Sequence, residues 1–543
     1  MSGTKVLSKI TTVASGHRKI WVGAGVLTSA ILASVAVGAP PLSVLFAVFT
    51  NDNGTVQTAS SDPSTLNNSN PFFDPFIGTN GQSCQTCHQP SIGITVSVPF
   101  IQNAFNATKD GPGPLDPLFR PNDTANNPST NFFSKDDKAY SLILNLGVVR
   151  IGKPLPTGAN APDFTVVAAD AATNEMFAAP DTFPLTTDPQ HPGVPSLSVF
   201  RRPLVNTNVN FDSAVLWDGR ANISNMPAQV KGAIQTLLLG ADNGNNITLT
   251  DTAIANFMTG VFTDQKSSSF AGLGPGFTGG AGNLTAVGAT GGVLNLLALS
   301  QSKSRPCVFD EDTPPDLTPF VAAVATPTSC TQVVVGGQIV GGPPTFTLFD
   351  TWANLPFNPG NKDRLSVARG QAVFNTALGS DDNGKPIGCV FCHTVPNLGN
   401  NASAGADGFK RIGTDSLDIL MRTKAKATTP AEAQMMQDMI DRVGLLPQYC
   451  LRPNTDTSGT PCGSAADDVV TTDPGRALVT GRIADVGMFK PPILRNLAVR
   501  SPYFHAGAAQ DIQHLINFYN LRFGLGLTAD QQADLAKFID TSL

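Results

Sequence analysis

Two short segments of the sequence carry the same pattern of reactive side chains. Each places two cysteines two residues apart and a histidine directly after the second: Cys84, Cys87 and His88 in one segment, and Cys389, Cys392 and His393 in the other. In this spacing each thiol adds across one vinyl group of a haem, and the histidine is positioned to bind the iron from the same face. The sequence therefore predicts two covalently attached c-type haems.

The competing interpretation of these four cysteines is a zinc site built from two Cys-x-x-Cys pairs. Such a site needs no histidine after either pair, whereas here a histidine follows both. With the cysteine and histidine content of this chain, even one such pentapeptide is expected by chance in only about one chain in a thousand. Two occurrences favour haem attachment over zinc.

The occupant of the sixth position on a haem iron decides whether the haem reacts with a small molecule or only transfers electrons. Outside the two repeated segments, the candidate ligands are His17, His191, Met488, His505, His514 and Tyr519. The next histidine after His88 is His191. The first haem is therefore expected to be open, or to be reached only by His191, and an open iron binds hydrogen peroxide or dioxygen.

The N-terminal residues are typical of an export signal. A basic stretch between Lys5 and Lys19 precedes an almost uncharged one from Ile20 to Phe49. The apolar stretch is about long enough to span a bilayer, so an uncleaved anchor is the alternative. We predict that residues 1–50 are an export signal or membrane anchor and that the protein is periplasmic or secreted. Anchoring to the membrane by the N-terminus is the alternative.

Charge argues against one class of partner. Charged residues make up 14% of the chain, and the formal net charge is −6. The sequence has no long basic run that could follow a phosphate backbone. Nucleic acid is therefore not an expected partner.

The remaining four cysteines form two locally spaced pairs, Cys307 with Cys330 and Cys450 with Cys462. In an oxidising compartment each pair is expected to form a disulfide that closes a short loop. The alternative is four buried free thiols.

The chain divides into four parts by composition. Residues 51–70 are rich in Ser, Thr, Asn and Asp and are predicted to be a linker. Residues 71–344 and 345–543 each hold one repeated segment, so we expect an N-terminal and a C-terminal cytochrome c-like haem domain. The Gly-rich stretch Ser267–Gly292 is predicted to be a surface insertion.

With two cytochrome c-like domains, the fold is expected to be mainly α-helical, interrupted by long irregular insertions. Helices are expected over Ala228–Leu239 and Arg364–Phe374. A last helix is expected after Thr528, which with Gln531 forms a capping-box pattern.

Further segments are similar to those of the bacterial di-haem cytochrome c peroxidase family, which includes relatives that mature methylamine dehydrogenase or cleave rubber. The segments that carry the resemblance are Arg202-Pro203-Leu204, Leu216-Trp217-Asp218-Gly219-Arg220, Arg369 to Phe374, Pro492 to Asn496 and Pro502 to Gly507. They follow the family's order over most of the chain after the linker. The resemblance implies an oxidoreductase that reduces hydrogen peroxide with electrons from a small donor cytochrome c or copper protein, and a homodimer as a common assembly.

The resemblance also implies roles for single residues. Trp217 would lie between the haems and relay electrons, the alternative being a buried aromatic residue beside an Asp-Arg pair. Gln229 falls where the family lines its peroxide pocket with an amide. A few residues later the family's peroxidases place a glutamate as acid-base catalyst, but here residues 236–240 are Thr-Leu-Leu-Leu-Gly.

The missing acid bears on the reaction. Cleavage of peroxide needs a proton moved from one oxygen to the other, and a leucine cannot move it. An apolar pocket is similar to that of the rubber oxygenases, which bind dioxygen at the first haem. Peroxide reduction is the expected activity, a dioxygenase or protein-modifying oxidase is the first alternative, and an electron-transfer cytochrome without substrate is the second.

For the second haem, the resemblance implies either His505 or Tyr519 as the sixth ligand. The peroxidases place a methionine near Tyr519, the methylamine branch a tyrosine, and the rubber oxygenases a histidine that matches His505. We favour His505, since imidazole binds both oxidation states of iron well.

Family peroxidases also hold a calcium ion between their domains. Asn208 and Pro502 lie at roughly matching positions, but Arg500 stands where a threonine is expected. A fixed positive charge opposes a cation, so the sequence argues against calcium.

Overall fold

The computed structural model describes residues 45–51, 54–60, 70–74, 77, 80–108, 117–119, 137–170, 196–212, 214–238, 247–268, 333–335, 338–340, 349–393, 409–463 and 467–542. Most of the predicted export segment, the pair Cys307 and Cys330, and nearly all of the predicted insertion Ser267–Gly292 lie outside the described residues.

The described helices vary from one turn to four. They are α1 Cys84–Cys87, α2 Val98–Thr108, α3 Ser141–Leu146, α4 Met226–Thr236, α5 Ile247–Gly260, α6 Lys362–Thr376, α7 Cys389–Cys392, α8 Leu417–Lys424, α9 Pro430–Val443, α10 Ala477–Thr480, α11 Ile512–Phe523 and α12 Ala529–Ser542.

The described strands are short and pair antiparallel. They are β1 Leu45–Asn51, β2 Gly54–Ser60, β3 Val149–Pro154, β4 Phe164–Asp170, β5 Ser196–Arg201, β6 Ala214–Val215, β7 Ala221–Asn222, β8 Val261–Ser268, β9 Val333–Val335, β10 Gln338–Val340, β11 Gly379–Ser380, β12 Pro386–Ile387, β13 Gln448–Pro453 and β14 Val469–Thr471.

The fold is mixed, with many helices and some strands, rather than clearly mainly α as the sequence predicted. Strand β3 pairs with β5, and β4 pairs with β13, which is itself paired with β14. Strand formation depends strongly on packing and pairing context. Weak local periodicity in this part of the chain therefore did not reveal these strands.

The three helices that the sequence predicted are present as α4, α6 and α12. Helix α4 buries Val230 and Ile234, which lie four residues apart on one face. At the start of α12, the backbone N–H of Gln531 donates to Thr528 Oγ1 at 3.3 Å, and that of Thr528 donates to Gln531 Oε1 at 2.9 Å. This reciprocal pair is the predicted capping box.

The C-terminal half has its own hydrophobic core, in which α6 packs against α12. The rings of Phe374 and Phe538 lie 5.5 Å apart in this contact, and Arg369 forms an ion pair with Asp534 at 2.6 Å. Gly370 faces the backbone of α12 so closely that a Cβ atom there would clash with the carbonyl of Asp534. The small residue allows the two helices to approach.

The N-terminal half buries a second core between α4, α5 and the segment that precedes α1. Phe72 and Phe257 lie 4.5 Å apart between ring centroids at its centre. Ile493, from the C-terminal half, also belongs to this core. The antiparallel pairing of β4 with β13 likewise crosses the boundary that the sequence predicted at residues 344 and 345.

Part of the predicted linker is folded. Residues 54–60 form β2, which pairs with β1 on one side and with β8 on the other. Val56 and Ser60 of β2 are fully buried. About a third of the range 51–70 is therefore a strand, because pairing with the distant β8 supplies the backbone partners that its polar composition did not indicate.

The pair Cys450 and Cys462 forms the predicted disulfide, with Cα atoms 6.1 Å apart. None of the described helices combines the length and apolar character needed to cross a membrane.

Candidate functional site

Two cavities open beside the two Cys-x-x-Cys-His segments. The first cavity is lined by the first segment and encloses about 1520 Å³, its open mouth included. The second is lined by the other segment and encloses about 1420 Å³ on the same measure. Both are lined mainly by apolar side chains, as sites for large cofactors are.

The first segment presents its histidine in a defined orientation. His88 Nδ1 donates a hydrogen bond to the carbonyl of Ile94 at 3.1 Å, and the backbone of Leu204 is a second hydrogen-bond partner of the ring. Burial lowers the pKa of His88 to about 4, so the imidazole is neutral at physiological pH. Neutral imidazole with one nitrogen anchored to a carbonyl is the form that binds metals.

A strained turn supplies the carbonyl that orients His88. Ile94 has a φ of 56°, which a β-branched residue adopts rarely and at a cost of about 1–3 kcal/mol. The turn is closed by the backbone N–H of Gln89, which donates to the carbonyl of Thr95 at 2.8 Å. Thr95 Oγ1 in turn donates to the carbonyl of Pro203 at 2.8 Å, which links the turn to the region between the two cavities.

The cysteines of both segments are free of disulfides. Burial raises the pKa of the Cys84 thiol to about 12, and burial together with the nearby Cys392 raises that of Cys389 to about 12. Because the thiolate is the reactive form, these thiols are poor nucleophiles and poor zinc ligands as they stand. Each cavity is thus lined by one histidine and two cysteines that form no disulfide.

His505 reaches the second cavity as a buried imidazole. Its ring stacks on Phe489 with centroids 4.0 Å apart and meets Trp217 edge-on at 6.2 Å. Among the described residues, its Nε2 atom has no hydrogen-bond partner although it is fully buried. A buried polar atom without a partner is rare, so this nitrogen is a candidate ligand for a metal in the cavity.

Tyr519 also lines the second cavity, and its ring contacts Phe504 and Phe523. Burial and the neighbouring Cys392 and Cys389 raise its pKa, so the phenol is uncharged. Both sixth-ligand candidates that the sequence named for this haem thus lie in the same cavity.

The other candidate ligands lie elsewhere. The ring of His514 forms two hydrogen bonds with carboxylates: Nδ1 contacts Asp511 at 2.7 Å, and Nε2 contacts Asp438 at 3.3 Å. Neither His514 nor Met488 lines either cavity. His17 and His191 lie outside the described residues.

A common wall separates the two cavities. The described residues that line both of them are Arg202, Pro203, Leu204, Trp217 and Lys490. The indole N–H of Trp217 donates to the carbonyl of Arg202 at 2.8 Å, and the backbone N–H of Arg202 donates to the carbonyl of His505 at 2.7 Å. The backbone of one residue, Arg202, therefore joins the indole of the wall to the backbone of the candidate ligand.

The residues that precede Trp217 and His505 have unusual backbone conformations. Leu216 has a φ of 69° and Phe504 a φ of 68°, both in the left-handed region. Such conformations cost about 1–3 kcal/mol each and persist where the surrounding structure enforces them. Here they lie next to the two side chains that face the second cavity.

A buried ionic network holds the wall in place. Arg201 bridges Asp218 and Asp473, with both shortest contacts at 2.6 Å, and Arg220 contacts Asp218 from the other side at 2.7 Å. Burial alone would raise the pKa of Asp218, but Arg201 and Arg220 hold it well below its ordinary value. The loop that carries Trp217 is thus fixed by charges that compensate one another.

The first cavity is apolar where α4 faces it. Gln229 lines it beside the apolar side chains Val230, Ala233, Ile234, Leu237 and Leu238. Asp212 carries the single carboxylate among the described lining residues, and it forms an ion pair with Lys490 at 2.6 Å. No free carboxylic acid therefore replaces the missing glutamate within the described part of the lining.

Sequence reasoning did not identify Lys153, Lys490 or Met258 as residues of the first cavity. Lys153 follows Val149 and Ile151 at every second position of β3, and this alternation was a signal that could have placed it. Lys490 and Met258 lie in segments without such a pattern.

The residues at the expected calcium position do not fit a calcium ion. Asn208 Nδ2 donates a hydrogen bond to the carbonyl of Thr263 at 3.0 Å, and Asn208 Oδ1 accepts one from the backbone N–H of Thr263 at 3.2 Å. The guanidinium of Arg500 donates to the carbonyls of Ile493 at 2.7 Å and Asn496 at 3.1 Å. Carbonyls are the groups that would bind calcium, and here an arginine occupies them.

No protein-family model matches the chain, and no curated protein matches it. The two cavities and their common wall therefore carry the functional argument.

Proposed function

We propose that this protein is an exported di-haem c-type oxidoreductase. His88 and His393 would be the proximal iron ligands, and the four cysteines beside them would hold the two haems covalently. Electrons from a small donor cytochrome or copper protein would enter at the second cavity, and the reaction with hydrogen peroxide would take place in the first.

The observation that carries this proposal is the common wall. Each cavity contains one complete Cys-x-x-Cys-His segment, and Trp217 lines both. A cofactor in either cavity would lie against the same indole. Such proximity supports electron transfer between two redox centres and has no evident use in a protein with two unrelated binding sites.

The two cavities differ in the side chains available opposite the proximal histidine. The second offers the unpartnered Nε2 of His505, which supports a six-coordinate iron that only transfers electrons. The first offers Gln229, whose amide can orient a bound peroxide by hydrogen bonds. A bound haem supplies redox chemistry at iron; the chain supplies the ligands, the indole and the shape of the cavity.

The apolar lining of the first cavity favours one alternative. The face of α4 contributes aliphatic side chains, and the described lining contains no free acid. This composition supports a dioxygenase acting on a hydrophobic substrate, as the resemblance to rubber oxygenases implies, or a protein-modifying oxidase on the same scaffold. An electron carrier without substrate is the third possibility, and one spectroscopic experiment distinguishes all three.

The test is absorption and electron paramagnetic resonance spectroscopy of the purified full-length protein, oxidised and half-reduced, followed by hydrogen peroxide or air. We expect one high-spin haem that reacts with peroxide while a donor cytochrome is oxidised. A stable dioxygen complex of the reduced protein would favour the oxygenase. Two unreactive low-spin haems would leave electron transfer only, and a protein without haem would overturn the proposal.

The role of Trp217 is tested with Trp217→Phe, which keeps an aromatic ring but removes the indole N–H and much of its area. We expect unchanged haem content and slower transfer of electrons from the second haem to the first. Trp352→Phe is the matched control, because Trp352 is equally buried but lines neither cavity. Equal transfer rates in both variants would contradict a relay through Trp217.

A further inference from the structure

Lys153 lines the first cavity from strand β3. Along β3, Val149, Ile151 and Lys153 alternate with residues that face the other way, and all three line the cavity. Arg150, between them, is buried on the opposite face and donates to Ser198 Oγ at 3.1 Å. The pairing of Lys153 with Leu197 in β5 fixes this orientation.

The amine of Lys153 differs from every other ionisable group in the cavity wall. Arg201 and Asp212 are ion-paired, Arg202 donates to three carbonyls, and Lys490 is bound to Asp212. The side-chain amine of Lys153 makes no hydrogen bond or ion pair with any described residue, although Arg220, Asp218, Arg201 and Asp473 act on it electrostatically. The cysteines and the histidine of the first segment are predicted to hold the haem. Among the other ionisable side chains of the described lining, Lys153 is the one whose polar atom remains available to a molecule in the cavity.

The surroundings of Lys153 favour its neutral form. Burial lowers its pKa to about 7, with Arg220 and Arg201 adding to this effect and Asp218 and Asp473 opposing it. At neutral pH a substantial fraction of the side chain is therefore an uncharged amine. An amine with a pKa close to the working pH both accepts and returns protons efficiently.

We propose that Lys153 is the acid-base group of the first cavity and takes the place of the glutamate that the sequence lacks. This inference rests on the proposed reduction of peroxide. It requires a group that lines the cavity, has a free polar atom and is held on a rigid element, and Lys153 meets all three conditions.

The proton balance is simple. Reduction of one hydrogen peroxide to two waters consumes two electrons, which the donor protein supplies, and two protons, which come from solvent. The neutral Nζ of Lys153 would accept a proton from one oxygen of hydrogen peroxide, and the resulting ammonium would deliver that proton to the other oxygen as the O–O bond breaks. The amine is neutral again at the end of the transfer.

The experiment compares Lys153→Met, which keeps the aliphatic stem, with Lys153→Glu, which restores an acid. We expect Lys153→Met to lower kcat/KM for hydrogen peroxide by about 100-fold or more, with unchanged haem content. Lys153→Glu should recover part of this loss. Lys362→Met is the matched control, because Lys362 is exposed at the start of α6 and lines neither cavity.

The pH profile gives a second readout. In the wild-type protein, kcat/KM should fall as the pH is lowered through about 7, because protonation removes the free base. Lys153→Met should lack this transition, and Lys153→Glu should move it to lower pH. An unchanged profile in Lys153→Met would overturn the inference while leaving peroxide reduction intact.

A third readout is independent of turnover. Reductive methylation with 13C-formaldehyde labels every lysine of the folded protein, and the signal absent from Lys153→Met identifies Lys153. We expect this signal to titrate near pH 7. Titration above about pH 10, as for an ordinary lysine, would overturn the inference. Absence of peroxide turnover in the wild-type protein at every pH would instead overturn the proposed function, and the catalytic role of Lys153 with it.

Discussion

At the scale of single residues, the important feature of His505 is a buried ring nitrogen without a hydrogen-bond partner among the described residues. The ring is packed between Phe489 and Trp217, and its Nε2 atom has no hydrogen-bond partner among the described residues. Burial lowers its pKa to about 4, which keeps the imidazole neutral and able to bind iron. The free energy lost by leaving this nitrogen unpaired, about 1–3 kcal/mol, would be recovered by coordination to a metal.

We therefore expect His505→Gln to convert the second haem from low spin to high spin. Electron paramagnetic resonance of the oxidised protein measures this change directly. His514→Gln is the control, because His514 is held by Asp511 and Asp438 away from both cavities. If His505→Gln leaves the spectrum unchanged while Tyr519→Phe alters it, Tyr519 is the ligand instead.

Asp415 is a buried acid remote from the cavity linings. It is 1% exposed, and its Oδ2 atom accepts a hydrogen bond from Thr471 Oγ1 at 2.7 Å. Among the described residues, Oδ1 has no partner. Burial raises the pKa of Asp415, and the hydrogen bond from Thr471 only partly offsets this effect.

This pKa predicts a pH-dependent stability with a definite sign. Above an ordinary pKa of 3.8 the unfolded chain releases the proton that the folded protein still holds, so the free energy of unfolding falls as the pH rises toward the folded pKa. Urea unfolding between about pH 4 and pH 8 should show a smaller decrease for Asp415→Asn than for the wild type. The exposed Asp467→Asn should follow the wild type, and a parallel decrease in all three proteins would contradict the prediction.

At the scale of elements, the packing of α6 on α12 depends on the absence of a side chain at position 370. A Cβ atom there would meet the backbone of α12, which cannot move aside as a flexible side chain does. Gly232, inside α4, provides the opposite case, since no described atom lies within 4 Å of the Cβ position.

We expect Gly370→Ala to destabilise the protein by about 1–3 kcal/mol through overpacking. Gly232→Ala should stabilise it by about 0.5–1 kcal/mol, because alanine loses less entropy than glycine in a helix. Denaturant unfolding of the two variants under the same conditions measures both effects. Destabilisation of similar size in both would show that the contact between α6 and α12 is not the cause.

The sequence predicted elements whose signals are local and missed those that depend on distant pairing. The apolar spacing in α4 and the cap at Thr528 each lie within a few residues. Strand β2 has a polar composition and is stabilised by β8, some two hundred positions further on. No local pattern contains that information.

In the candidate site, too, the features with local sequence signals were predicted and those that depend on distant parts of the chain were missed. The repeated Cys-x-x-Cys-His segments were visible as motifs, and Trp217 and Gln229 were placed through a resemblance. That both segments would face a common wall could not be read from the sequence, because Arg202, Trp217 and Lys490 come from three separate loops and strands. Lys153 was missed since a lone lysine in a strand is ordinarily a solvated side chain.

At the scale of the whole molecule, two buried arginines join the halves of the chain. Arg202 donates to the carbonyls of Leu146, Val96 and Arg500 at 2.8–3.0 Å, and Arg500 donates to those of Ile493 and Asn496. Burial lowers the pKa of Arg202 to about 9 and that of Arg500 to about 10, so both remain charged at neutral pH. Their guanidinium groups donate hydrogen bonds to buried carbonyls that would otherwise be left unpaired.

The stability of the protein should therefore be independent of calcium. We expect a calcium chelator to leave the thermal unfolding midpoint unchanged, and Arg500→Met to lower the unfolding free energy by about 1–3 kcal/mol for each carbonyl left unpaired. Arg482→Met is the control, with a side chain that is 59% exposed. A loss of stability on chelation that added calcium reverses would contradict this assignment.

The wall between the cavities also restricts how the molecule can change over evolutionary time. A substitution at Trp217 or Pro203 alters the lining of both cavities at once, so neither site can acquire a new shape there without disturbing its neighbour. The aliphatic face of α4 and the cavity face of β3 belong to the first cavity alone. New substrate preferences are therefore expected to arise by substitutions on those two elements, while the residues of the wall stay constant.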